Sequence, residues 1–130
     1  MAARTETRFG YVPHFEVTTI DEDRVLYREI WQRRNVVLVL VAPDQRRAAV
    51  RYVQQFTDRR HEFEDAETSI VVTADSLPGL PPPRVVIADR WGEILHIASA
   101  PGGDVSQLLS VEEALTWVRF AQIQCPECPP

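Results

Sequence analysis

Apolar residues along this chain gather into dense runs separated by charged or proline-rich breaks, and two of the runs are continuous. Val36 to Val41 and Val85 to Ala88 show no alternation of apolar and polar positions, the mark of strands covered on both faces rather than one. The first, the more apolar, is expected to be the central strand. After the second, Asp89-Arg90-Trp91-Gly92-Glu93 supplies a turn with glycine where positive φ is needed, which predicts a hairpin returning antiparallel through Ile94 to Ala98. Pro81, Pro82 and Pro83 cannot donate to a ladder and must lie before that strand. Nearer the N-terminus, Val12 to Thr19 alternates like a strand, Asp21-Glu22-Asp23 reads as a solvated turn, and Val25-Leu26-Tyr27 completes a second hairpin. Arg28 to Arg34, anchored by Ile30 and Trp31, predicts a short helical turn.

Helical periodicity appears twice. Pro43 and Asp44 end the central run and open a helix, with Asp44 as the expected cap. Ala49, Tyr52, Val53 and Phe56 then follow i, i+3, i+4, i+7 spacing as its buried stripe. Arg46, Arg47, Arg51, Arg59 and Arg60 fall off that stripe and read as a solvated face, neutralised by Glu62, Glu64, Asp65 and Glu67. Thr68 to Thr73 is the next strand, so strand, helix and strand form a right-handed βαβ unit with parallel strands. The proline-rich stretch from Ala74 to Pro83 has no room for a helix, which predicts that part of one sheet face is left uncovered. Ala100 to Leu109 is a glycine-containing loop. Ser110-Val111-Glu112-Glu113 is a capping box that starts a last helix running to about Gln124.

Composition narrows the classes. The chain has 130 residues, 45% of them hydrophobic, enough for a core that needs no disulfides. No apolar run reaches membrane-span length and the N-terminus lacks a signal-peptide core, so the cytoplasm is the expected location. Net charge is −5, which argues against a broad electrostatic hold on nucleic acid. All 14 basic residues are arginine. With no lysine side chain, Schiff-base chemistry by that route is excluded. The expected organisation is a loose segment over 1–11, one domain over 12–124 and a tail over 125–130.

The order of elements, hairpin, strand, helix, strand, prolines, hairpin and helix, resembles the thioredoxin fold, and its details are similar to the redoxin branch of peroxiredoxins and related thiol-disulfide proteins. Val12-Pro13-His14-Phe15-Glu16-Val17 is similar to that branch's opening A-P-x-F-x-L. Pro83-Arg84-Val85-Val86-Ile87-Ala88-Asp89-Arg90-Trp91-Gly92-Glu93-Ile94 resembles its proline, strand, D-x-x-G-x-I turn and strand. The resemblance implies an α/β fold with a central mixed sheet, an N-terminal hairpin and a C-terminal helix. It implies that Pro83 occupies the cis-proline position, and that the active-site region is Pro43, Asp44 and Gln45. The family's nucleophile is a cysteine at the start of the helix after the central strand, where the helix dipole and positive neighbours favour the thiolate. Here Ala42-Pro43-Asp44-Gln45-Arg46-Arg47 holds no cysteine, serine or threonine.

Cys125 and Cys128 form a C-P-E-C pair, which is compatible with a redox dithiol, half of a zinc site or two inert thiols. Their place after a helix C-terminus, beside Glu127, disfavours a thiolate. The topology also sends them to the sheet end opposite Pro83. Zinc supplies its own positive charge, and the site would be completed by His61, on a helix expected to pack on the same sheet face, as a candidate third ligand, or instead by a second chain's C-P-E-C. His14 and His96 read as ordinary strand histidines. Trp117, Phe120 and Ile123 lie off the Val111, Leu115, Val118 stripe of the last helix, and exposed apolar surface of that kind calls for a partner. The expectation is a catalytically silent redoxin-like domain acting by protein association, as a homodimer or an accessory subunit. A thiol-dependent oxidoreductase using Cys125 and Cys128 and a zinc-stabilised module are the alternatives.

Overall fold

A computed structural model describes residues 10–100 and 103–123. Its strands are β1 (Glu16–Thr18), β2 (Arg24–Leu26), β3 (Asn35–Leu40), β4 (Thr68–Thr73), β5 (Arg84–Ala88) and β6 (Ile94–Ser99). Its α-helices are α1 (Arg46–Asp58), α2 (Arg60–Asp65) and α3 (Val111–Ile123). β1 and β2 form a separate antiparallel hairpin, while the main sheet has the order β4-β3-β5-β6. β3 runs parallel to β4 and antiparallel to β5, and β5 is antiparallel to β6.

The continuous apolar runs follow from this layering. All six residues of β3 are buried, because β3 is flanked by strands and covered on both faces. Val37, Val39, Val41, Val85 and Ile87 face a layer built from Tyr52, Phe56, Phe63, Leu115 and Val118 of the three helices. Val36, Leu38, Leu40, Val86 and Ala88 face a second layer made by Val12, Phe15, Val17, Tyr27 and Ile30. A fully buried side chain such as Phe56 or Tyr27 contributes about 1.5–3 kcal/mol relative to exposure.

The expectation of an uncovered face is corrected here. No helix occupies 74–83, but Leu80 is buried and Leu77 half-buried against the N-terminal layer, so two leucines from the proline-rich connection help do what a helix would have done. Arg28 to Arg34 also departs from expectation: only Tyr27–Glu29 is helical, as a 3-10 turn. The glycine loop is less plain than its sequence suggested, since Val105–Gln107 forms a 3-10 turn capped by Asp104, which accepts from the Ser106 amide. Gly10 and Tyr11, expected in the loose segment, lie against the β5–β6 turn: Gly10 O accepts from Ile94 N–H and Tyr11 bridges Glu93. No helix among the described residues is long and apolar enough to cross a membrane.

Candidate functional site

The site region is fixed by register. Leu40, the last residue of β3, pairs with Arg84, the first of β5, so Pro83 lies beside the point where β3 hands over to the helix. The Pro82–Pro83 peptide bond is cis. Pro43–Gln45 forms a 3-10 turn at the same sheet end and α1 continues from Arg46. The structure thus brings Pro43, Asp44 and Gln45 to the end of the sheet where Pro83 stands.

Asp44 does not cap the helix as expected. It sits inside the 3-10 turn and no side-chain cap bond is made, because the turn moves the α1 N-cap one residue on, to Gln45. Gln45 is engaged elsewhere: its Nε2 donates to Gly103 O at 2.6 Å, pinning the loop before α3 to the start of α1. Its Oε1 is buried without a partner among the described residues. This tether was illegible in the sequence, since Gln45 and Gly103 are 58 residues apart and neither carries a motif. Arg46 and Arg47 are exposed, and Arg46 Nη2 lies 3.5 Å from Ile20 O. The region offers backbone, proline and amide groups and the Asp44 carboxylate, with Ala42 between the strand and the turn, and its residues 42–47 include no thiol or hydroxyl side chain to act as the attacking group.

At the opposite sheet end, Asn35 Nδ2 donates to Gln122 Oε1 at 2.8 Å and to Ala66 O at 3.0 Å. α3 therefore delivers the chain to the end away from Pro83. Cys125 and Cys128 lie outside the described residues. His61, the candidate zinc ligand, is exposed on α2. Among the described residues no group of three or more His, Cys, Asp and Glu side chains is arranged to hold a metal ion.

A second feature is the outer surface of α3 beside β6, an edge strand of the sheet. Trp117, expected off the buried stripe, is half-buried against the helix-side core and stacks on His96 of β6, with ring centroids 5.0 Å apart and planes at 12°. Phe120 meets the Trp117 ring edge-on at 6.1 Å. Phe120 is 45% and Ile123 81% exposed. His14, placed in a strand by its sequence, instead lies in the extended segment before β1 and packs against Tyr27 and Trp31.

No protein-family model matches the chain, and no curated protein matches it. Among solved structures it is similar to the reduced 2-Cys peroxiredoxin of Plasmodium vivax, at 13% identity over 86% of this chain and 80% of that one, with a TM-score of 0.68. It is also similar to thioredoxin peroxidase I of Plasmodium yoelii, at 12% identity, 88% and 90% coverage and a TM-score of 0.64. The mitochondrial 2-Cys peroxiredoxin of Plasmodium falciparum gives 11% identity, 85% and 91% coverage and a TM-score of 0.63. The chain has the thioredoxin-like fold of the peroxiredoxins, and likeness at such identities speaks for the fold alone.

Proposed function

We propose that this protein is a catalytically silent redoxin-like domain that works by protein association, as a homodimer or an accessory subunit. The observation that carries the reading is chemical. The turn from Ala42 to Arg47 stands beside cis-Pro83, where this fold's family keeps a thiolate, and it holds no cysteine, serine or threonine. The exposed apolar pair of Phe120 and Ile123 beside the β6 edge, which pairs with no further strand among the described residues, supports association, since such patches mark contact surfaces and an unpaired edge invites a partner strand.

The test is light scattering on the purified full chain, with Phe120→Glu and Ile123→Glu variants and a peroxide and disulfide reduction assay alongside. Wild type is expected to sediment and scatter as an assembly, the exposed-surface variants as folded monomers, and no preparation to turn over peroxide. A monomeric wild type with no captured partner refutes the association. Turnover that disappears in Cys128→Ser establishes the enzyme reading in its place. Zinc found by elemental analysis and lost in His61→Ala favours the metal-stabilised module.

A further inference from the structure

The opposite edge of the sheet carries a feature that the association above does not use. In a parallel pair, alternate residues of each strand face the partner. Asn35 N–H bonds to Glu67 O and Val41 N–H to Thr73 O, so with the register from Asn35↔Thr68 to Leu40↔Thr73 the even-numbered residues of β4 point their amides away from β3. Two of those outward carbonyls are occupied. Arg34 Nη2 donates to Thr68 O at 3.0 Å and Ile20 N–H to Val72 O at 3.0 Å. Between them, among the described residues, neither the outward N–H nor the C=O of Ile70 has a partner.

Beside that vacancy in the ladder lies a cavity of ≈ 290 Å³ between the β4 edge, the first two helices and the β1–β2 turn. Val53, Phe56 and Ile70 are its apolar lining, and its rim carries Asp21, Asp23, Glu64 and Arg60, with Arg34 held on Thr68 O and Arg46 Nη2 3.5 Å from Ile20 O at its two ends. Glu64 is shared with Arg34 at 3.7 Å, whereas Asp21 and Asp23 make no ion pair with any described residue. An apolar floor alone would suit many small molecules. An adjacent free donor and acceptor on an edge strand selects an extended backbone.

We propose that the β4 edge is a docking site for a short extended segment of a partner protein carrying basic residues next to an apolar one. Its backbone pairs with Ile70 N–H and C=O, its apolar side chain enters the cavity over Val53 and Phe56, and a basic side chain faces Asp21 and Asp23. Arg34 and Ile20 close the ladder on either side, so the segment is short.

Fluorescence anisotropy on the full-length protein tests this with two end-blocked labelled peptides, one alternating arginine with valine and one alternating glutamate with valine. The arginine peptide is expected to bind at least about tenfold more tightly at low salt, and Asp21→Arg with Asp23→Arg to reverse that preference. Ile70→Pro, which deletes an outward N–H at an edge position where proline is tolerated, is expected to abolish binding. The charge-reversed turn lies in solvent and keeps the test valid if the proline variant fails to fold. Equal affinity for the two peptides, no binding by either, or binding that leaves the Ile70 amide resonance and its hydrogen exchange unchanged overturns the proposal. Such a failure leaves the α3 and β6 surface untouched, since it lies on the other sheet edge.

Discussion

At the scale of single residues, the β5–β6 turn shows how a buried carboxylate can organise a corner. Asp89 Oδ1 accepts from Trp91 N–H at 2.9 Å and Glu93 N–H at 3.0 Å, and Gly92 closes the turn at φ +84, with Tyr27 Oη only 3.0 Å from where a Cβ would stand. Burial pushes the Asp89 carboxyl above its usual range, outweighing the turn amides that favour its charged form. A carboxyl raised in this way stabilises the fold while protonated, and that contribution is lost as pH rises through its folded value. Asp89→Asn keeps an acceptor oxygen for the two amides and carries no charge to bury. Its stability relative to wild type is therefore expected to improve as pH rises from acid to neutral, read from urea midpoints across that range. A wild-type advantage that grows with pH would contradict this. The same Asp89 to Glu93 signal was plain in the sequence because turn chemistry is local. Gln45 was not, because its role depends on Gly103 arriving from a distant loop, and Asp44 misled because a 3-10 turn displaced the cap by one residue.

Elements packed through the apolar core are also linked by charge at the surface. Arg59, at the junction of α1 and α2, pairs with Glu62 and with Glu112 of α3, and Arg119 of α3 returns to Glu62 at 3.0 Å. Glu62 is held down to about 2, chiefly by its hydrogen bond from Arg59. Its folded value lies below its unfolded one, so its contribution is present above the ordinary glutamate pKa and disappears as pH falls from about 4.5 through about 2. Glu62→Gln is expected to lower the urea midpoint slightly at neutral pH, with the difference from wild type vanishing near pH 2, and high salt should shrink it further. A difference that persists unchanged into strong acid would show that Glu62 acts by packing. The sequence disclosed the opposite charges but not their pairing. It did disclose the helices themselves, since the Ala49, Tyr52, Phe56 stripe and the Ser110–Glu113 capping box are local patterns, and the box is realised by Glu113 N–H donating to Ser110 Oγ at 3.1 Å. The cover over the second sheet face was hidden because it comes from scattered singles, Leu77, Leu80 and Tyr27, with no shared period.

Across the whole molecule, both cores are built on the two faces of one sheet, with β3 at its centre. Leu38 points to the N-terminal layer and its neighbours Val37 and Val39 to the helices, so neither layer has a floor of its own. A cavity opened on one side of β3 should therefore be felt on the other. Leu38 is fully buried, and Leu38→Ala is expected to cost about 2–5 kcal/mol. Two of the three tryptophans divide between the layers, Trp31 packing with the N-terminal core and Trp117 with the helix core, while Trp91 lies in the β5–β6 turn. Single-tryptophan versions retaining one or the other then report each side separately. In both, Leu38→Ala should shift the urea transition by the same amount, with the two transitions coincident. Were the Trp117 transition to stay in place while the Trp31 transition moved, the layers would unfold independently. β3 would then be a boundary between two weakly coupled cores, and the N-terminal hairpin would be free to detach.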